Sequence, residues 1–201
     1  MTGKILVSTA YLPPVQYFSL INKADEVLIE KEENYIKQTY RNRCYILSAN
    51  GIQALSIPVQ LGSFHKIALK DIRIDYSRRW QQVHLGAFNA AYKSSPYFEF
   101  YFEEIARIIS SNHEFLIDLN MELIRFLINS LKIKTTISYT THFVPLNSDP
   151  SDFRYTLTPK KEFKTDYMDY LQVFPSDKGF IAGLSIVDLL FNCGPDSPDY
   201  L

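Results

Sequence analysis

Residues 33–51 read Glu-Asn-Tyr-Ile-Lys-Gln-Thr-Tyr-Arg-Asn-Arg-Cys-Tyr-Ile-Leu-Ser-Ala-Asn-Gly, and this stretch decides the fold. Its second half, residues 44–49, is rich in β-forming side chains and ends at Asn50-Gly51. A further β-rich run follows at residues 52–59. Asn-Gly tolerates the two positive φ angles of a type I′ turn, so the pattern predicts a β-hairpin with these two residues as its loop.

The first half of the stretch carries three cations, Lys37, Arg41 and Arg43, with Gln38 and Asn42 between them. On a helix, Lys37 and Arg41 would form part of an ordinary solvated ladder. Threonine, tyrosine and the hairpin that follows favour a strand, which places all three cations on one face. Because like charges repel, this face predicts a site for an anionic ligand, which arginine holds bidentately and lysine as a point charge. A surface or salt-bridged role is the alternative.

Working outward, the N-terminal third predicts a strand, a short helix and a second strand. Lys4–Ser8 is a short apolar run, Pro13-Pro14 sets up a first helical turn, and Glu26–Glu30 is again strand-like. This order is typical of a βαβ unit with parallel strands. Residues 67–75 alternate weakly and predict an edge strand.

The central third predicts three helices. Trp80, His84 and Phe88 lie on one helical face. Ser95-Pro96 predicts a capped second helix that ends near residue 109, and leucine spacing predicts a third over residues 115–131. The predicted fold class is therefore α/β: a mixed β-sheet with a βαβ-like N-terminus, a β-hairpin and a run of three helices.

The predicted domain organisation is a single domain spanning residues 1–201. Residues 135–143 predict another strand. Residues 145–166 contain three prolines and little periodicity, which predicts a long loop.

Composition excludes several classes of protein. The 201-residue chain is 46% hydrophobic and 21% charged with a net charge of −1, which argues against general nucleic-acid binding. The N-terminal apolar run is too short for a signal peptide, and no transmembrane segment is predicted, so we expect a cytoplasmic protein. Cys44 and Cys193 predict two reduced thiols.

Chemically useful motifs are few. The four histidines lack metal-ligand spacing, so no metal site is predicted. A Gly-rich phosphate loop is missing, which argues against a dinucleotide and leaves the cofactor unknown.

Several other side chains are candidates for catalysis or binding. His84 is a candidate general base, or a satisfied core histidine on the Trp80 face. Asp188 is a candidate acid, or part of a helix cap that begins at Ser185. Tyr11, Gln16 and Tyr17 follow the first strand, where open α/β sheets bind ligands; packing is the alternative.

The chain resembles the WbqC-like family over nearly its whole length. The shared motifs are Tyr11-Leu12-Pro13-Pro14-Val15-Gln16-Tyr17-Phe18, the run 33–44, Ala49-Asn50-Gly51, Leu55-Ser56-Ile57-Pro58-Val59, Trp80 with His84, Tyr92 with Ser95-Pro96-Tyr97-Phe98, Asp152-x-Arg154, Pro159-Lys160, and residues 183–195. One departure concerns a His-Gln-Pro sequence that many members carry before the Tyr-Leu-Pro equivalent. Here residues 7–10 read Val-Ser-Thr-Ala. Either the chemistry of that histidine is absent, or Tyr11, Gln16 or His84 takes it over.

The resemblance implies a role in surface-polysaccharide (O-antigen) or nucleotide-sugar metabolism. The hypothesis is a transferase that moves an acyl or aminoacyl group on an anionic small molecule, a sugar nucleotide or an acyl donor. The cation cluster would hold the anion, with Gln38, Trp80, Arg154 and Lys160 as further binding residues. Tyr11, Gln16 and Asn42 would orient the substrate, and His84 or Asp188 would handle protons. The alternative is a non-catalytic scaffold, for which an exposed aromatic patch at residues 97–102 would speak. The oligomeric state is left open.

Overall fold

The computed structural model describes residues 3–61, 66–146, 149–161, 163, 168–174 and 179–201. Its strands are β1 (Lys4–Ser8), β2 (Glu26–Glu30), β3 (Arg43–Ser48), β4 (Gly51–Ser56), β5 (Val59–Gln60), β6 (Arg73–Ile74) and β7 (Thr136–Tyr139). Its α-helices are α1 (Val15–Asn22), α2 (Trp80–Tyr92), α3 (Phe98–Ser110), α4 (Leu116–Ser130) and α5 (Ile186–Cys193). Short 3-10 helices span Leu69–Asp71 and Gly194–Tyr200.

The predicted α/β class is confirmed, including the βαβ start. β1 and β2 pair in parallel across α1, and β7 pairs in parallel with β2, so the sheet order is β1-β2-β7. A parallel bridge between Leu6 and Asp152 extends the β1 side. Because all these strands run the same way, their carboxyl ends meet at one edge. Antiparallel pairing occurs in two separate small sheets, β3-β4 and β5-β6.

The three central helices are confirmed by the faces that they bury. In α2 the buried positions include Trp80, His84 and Phe88, and the bounds of α4 lie within one residue of those predicted. Side chains from β1 to α5 join one apolar core. The predicted Ser95 cap is wrong, because α3 begins only at Phe98 and the Ser95 hydroxyl has no hydrogen-bond partner among the described residues.

The hairpin is confirmed, but its register differs by one residue. Ser48 pairs with Gly51, so Ala49 and Asn50 form the loop, and Gly51 takes a φ of +97° at the start of β4. Glycine at this position tolerates a positive φ that a side chain would strain. For residues 67–75 the structure has a 3-10 turn and the two-residue strand β6 instead of one edge strand. The described parts of the predicted 145–166 loop contain no helix or longer strand, only turns and the Asp152 bridge.

The predicted strand over Lys37–Arg43 is wrong. β3 begins only at Arg43, and the preceding residues form turns in which Gln38 has a φ of +60°. The reason is tertiary: Arg41 turns inward and its side chain is buried. The three cations therefore do not share one strand face.

Candidate functional site

A buried ion network lies at the carboxyl edge of the parallel sheet. Arg154 donates from Nε and Nη2 to the two carboxylate oxygens of Asp152, at 2.9 and 2.6 Å. Its Nη1 donates to Glu30 at 3.1 Å and to the Val144 carbonyl at 2.7 Å. The side chains of Arg154 and Glu30 are fully buried. Charges this deep are stable only when paired and hydrogen-bonded, so Arg154 fastens its own chain segment to the sheet.

Arg41 forms the second half of the same network. Its Nε and Nη2 donate to Glu33 at 2.9 and 2.6 Å, and Nη2 also donates to the Ser8 hydroxyl at 2.6 Å. A weaker bond of 3.3 Å reaches the Arg154 carbonyl, which joins the two halves. The Tyr155 ring lies 5.8 Å from the Arg41 guanidinium and 5.4 Å from that of Arg154. Arg41 therefore has the salt-bridged role that the sequence analysis gave as the alternative to anion binding.

The other residues predicted in the basic stretch lie apart from each other. Lys37 and Gln38 are exposed, and Arg43 is half-buried at the start of β3. Asn42 is buried and donates its side-chain amide to the Ile57 carbonyl at 2.9 Å. Asn42 thus stabilises the connection between β4 and β5.

A cavity of about 650 Å³ opens beside the ion network, and we call it the large cavity. Four segments contribute to it: the end of the loop after β1 with the start of α1, the region around the hairpin, residues 157–161 with Phe163, and residues 182–184. Its lining residues are Pro14, Gln16, Tyr40, Tyr45, Ile52, Leu157, Thr158, Pro159, Lys160, Lys161, Phe163, Ala182, Gly183 and Leu184.

Backbone and hydroxyl hydrogen bonds hold the walls of the large cavity together. Ser185, the N-cap of α5, donates its hydroxyl to the Leu12 carbonyl and its N–H to the Tyr45 carbonyl, each at 2.7 Å. The Tyr11 N–H donates to the Tyr40 carbonyl at 2.8 Å. Leu12 has a φ of +40°, a conformation that non-glycine residues rarely adopt. Such strain persists only where the surroundings enforce it, and it often accompanies function.

The chemistry of the large cavity suits an anionic ligand that also has a ring. Lys160 and Lys161 are exposed, and neither forms an ion pair within the described part of the chain. Tyr40 and Tyr45 pack edge to face, with ring centroids 6.2 Å apart. Lysine binds phosphate as a point charge, and half-buried tyrosine rings offer a surface for a sugar or a base. Gln16, which is only 6% exposed, adds an amide to this lining.

A smaller space, the inner recess, adjoins the large cavity. It measures about 10 Å³ and is lined by residues 7–10, Tyr17, Arg41, Phe153 and Arg154, while Tyr40 and Leu157 line both spaces. The Tyr17 hydroxyl donates to the Ser8 carbonyl at 2.9 Å. About 10–15 Å³ holds one water-sized group. Residues 7–10, which read Val-Ser-Thr-Ala, form one side of the recess.

Tyr11 and His84 form a buried pair away from both spaces. The Tyr11 hydroxyl and the His84 Nδ1 lie 2.8 Å apart, and both side chains are at most 2% exposed. Burial lowers the pKa of His84 to about 4, although a hydrogen bond with the Ser56 backbone opposes this. The imidazole is therefore neutral near pH 7. Trp80 packs edge to face on His84 and is 4% exposed.

Tyr11, His84 and Trp80 are placed as core residues, which was the alternative role given for His84. None of them lines the large cavity or the inner recess. A catalytic role for Tyr11 and His84, and a binding role for Trp80, stay predictions.

The Asp188 carboxylate accepts hydrogen bonds from two tyrosines and a glutamine. Its Oδ1 accepts from Tyr92 at 2.8 Å, and its Oδ2 accepts from Tyr170 at 2.7 Å and from Gln172 at 3.3 Å. Burial raises the pKa of the Asp188 carboxyl above its usual value, and the hydrogen bonds from these three partners reduce this rise without cancelling it. The cap at Ser185 is confirmed, since its hydroxyl accepts from the Val187 N–H. Asp188 instead fastens the segment that contains Tyr170 to α5.

Of the residues predicted to bind the substrate, Gln16 and Lys160 line the large cavity, and Tyr17, Arg41 and Arg154 line the recess. Sequence reasoning missed Tyr40, Tyr45 and Lys161 as lining residues. Lys161 follows Lys160 in the predicted loop, so a pair of adjacent lysines was the available signal. No comparable signal marked Tyr45, which alternates like any strand residue.

The described residues contain neither a metal-binding cluster nor a membrane-spanning helix. No group of three or more His, Cys, Asp or Glu side chains is arranged to hold a metal ion there. In the same part of the chain, every helix is too short or too polar to cross a membrane.

Comparison with known proteins identifies the family. The model of the WbqC-like protein family matches residues 9–156 and 155–200, so the chain belongs to this family. An uncharacterized protein of Mycobacterium tuberculosis (strain ATCC 25618 / H37Rv), Rv1507c, is 28% identical over 226 residues, covering 98% of this chain and 96% of that protein. No solved structure matches the chain.

Proposed function

We propose that the chain is a cytoplasmic transferase of surface-polysaccharide metabolism that binds a phosphorylated sugar, such as a sugar nucleotide, in the large cavity. The observation that carries this proposal is the pairing of Lys160 and Lys161 with the Tyr40–Tyr45 wall around one space of about 650 Å³. Small-molecule sites of this kind measure roughly 300–1,000 Å³ and combine apolar walls with a few polar groups.

The proposal changes the roles expected within the site. Lys160 and Lys161 hold the anion, since the guanidinium groups of Arg41 and Arg154 already have carboxylate partners. Arg41 and Arg154 act as positioning residues that fix the strand-one loop and the segment preceding the two lysines. Gln16 orients the ligand from α1. Transfer of an acyl or aminoacyl group is the proposed reaction class.

The scaffold alternative receives less support. It would be favoured by an exposed aromatic patch at residues 97–102. In this segment Phe98 is 4% exposed, and Tyr101 and Phe102 pack partly buried against the core. Phe100 is 78% exposed, and a single exposed apolar side chain is ordinary for a protein surface.

A thermal-shift titration tests the anion site, with UDP-glucose and acetyl-CoA as probes. A ligand that binds only the folded state stabilises it by about 2.7 kcal/mol at a concentration 100 times its Kd. For a protein of this size, we expect a rise in Tm of roughly 5–11 °C. The double variant Lys160→Glu/Lys161→Glu should lose this rise.

The matched control is Lys93→Glu/Lys134→Glu, which makes the same charge change at exposed lysines outside both spaces. This control should keep the full shift. An equal loss in both double variants would refute a local anion site, because it would show that only the overall charge matters. If neither UDP-glucose nor acetyl-CoA raised the Tm, the proposed function would be refuted and the scaffold alternative would be favoured.

A further inference from the structure

The charge of the site changes sign from its mouth to its interior. At the mouth, Lys160 and Lys161 contribute two positive charges to the large cavity. Behind the inner recess, and among the described residues, the three carboxylates of Glu30, Glu33 and Asp152 pair with the two guanidinium groups of Arg41 and Arg154. This leaves one formal negative charge in the buried network. Its field acts through protein of low dielectric, so salt screens it less than a surface charge.

The hydrogen-bonding groups of the recess also favour a ligand group that donates hydrogen bonds. Tyr17 donates its only hydroxyl proton to the Ser8 carbonyl, so its oxygen is left to accept. The Ser8 hydroxyl accepts from Arg41 at 2.6 Å and donates toward the Arg154 carbonyl at 3.4 Å. Nε and Nη2 of Arg41 and all three nitrogens of the Arg154 guanidinium have carboxylate or carbonyl partners, and Arg41 Nη1 donates to the Thr39 hydroxyl at 3.3 Å. A ligand group that enters the recess therefore meets acceptors and should itself be a donor.

We infer that the ligand is an amino-sugar nucleotide whose protonated amine occupies the inner recess while its phosphates lie at Lys160 and Lys161. The recess has room for one water-sized group, which an ammonium group matches. A carboxylate or a second phosphate there would face the net negative network, and an N-acyl group would be too large. The inference rests on the proposed function, since it uses the same cavity for the phosphates.

Three probes that differ in one substituent test the inference: UDP-glucosamine, UDP-glucose and UDP-N-acetylglucosamine. Isothermal titration at about pH 6 keeps the sugar amine protonated, because an amine of this type titrates near the α-amino value of about 8. A charge-assisted hydrogen bond should make UDP-glucosamine bind about tenfold or more tightly than UDP-glucose. The preference should shrink above about pH 9, where the amine is neutral.

Tyr17→Phe removes one acceptor, the Tyr17 hydroxyl oxygen, from the recess and should reduce the ratio of UDP-glucosamine affinity to UDP-glucose affinity. Tyr139→Phe is the matched control, because its hydroxyl contacts Arg125 and lines neither space. Equal binding of all three probes that still depends on Lys160 and Lys161 would overturn the inference and keep the proposed function. Failure of every probe to bind would overturn both.

Discussion

Replacing Arg154 by methionine should destabilise the fold more than any change at an exposed arginine. Methionine fills much of the same volume but removes four described hydrogen bonds to Asp152, Glu30 and Val144. It leaves Glu30, whose side chain is fully buried, without its cationic partner. Removing one member of a buried ion pair costs about 3–5 kcal/mol, out of a total stability of about 5–15 kcal/mol.

The assay is urea unfolding followed by circular dichroism, together with a thermal melt. With about 2–4 °C per kcal/mol for a chain of this length, Tm should fall by roughly 6–20 °C. The Tm of Arg154→Lys should lie between those of wild type and Arg154→Met, since lysine keeps the charge but loses the bidentate geometry.

The matched control is Arg73→Met, whose ion pair with Glu114 is more than half exposed on both sides. Surface pairs of this kind contribute about 0–1 kcal/mol. Similar, small losses in Arg154→Met and Arg73→Met would refute the structural role of the network. If Arg154→Met kept the stability of the wild type but lost ligand binding, Arg154 would instead be a ligand-binding residue.

Four further substitutions test other parts of the structure. Gly194→Ala should cost about 1–3 kcal/mol in urea unfolding, because φ is +54° and the added Cβ would overlap the Tyr97 ring; a neutral result would contradict this packing. For His84, the folded-state pKa of about 4 lies below the ordinary 6.5, so its contribution to stability is present above pH 6.5 and is lost, by roughly 3 kcal/mol, as pH falls to 4. His84→Gln should flatten this part of the stability–pH curve, whereas parallel curves would contradict the shift. Ser95→Ala should leave stability unchanged or slightly raised, since the buried Ser95 hydroxyl has no partner among the described residues. Ser185→Ala, in contrast, should cost about 1 kcal/mol through loss of the α5 cap.

Much of the secondary structure was predictable because short-range periodicity determines it. The buried face of α2 follows from the spacing of Trp80, His84 and Phe88, and the hairpin follows from the apolar runs around Asn50-Gly51. The one-residue error in the hairpin loop arose because Gly51 serves a positive φ at the strand start instead of the second loop position. Similarly, Ser95-Pro96 has the composition of a cap, but the helix begins where Phe98 reaches the core.

The candidate site was only partly predictable because its residues meet through long-range contacts. The family resemblance pointed to Lys160 through the Pro159-Lys160 motif, and the position after strand one pointed to Gln16. Local sequence did not show that Tyr45 of the hairpin would lie across the same cavity. Nor did it place Asp188 between Tyr92 and Tyr170, since nothing local distinguishes these tyrosines from the others in the chain.

The sequence by itself determined the elements and the presence of a conspicuous basic stretch, because both depend on residues a few positions apart. The tertiary structure alone decided what the charges in that stretch do. Arg41 pairs with Glu33, and Arg154 meets Glu30 from 124 positions away. A guanidinium group that is paired with buried carboxylates has fewer N–H donors left for a ligand. That depends on which carboxylates the fold brings within reach, and here it leaves the adjacent lysines 160 and 161 at the mouth of the cavity.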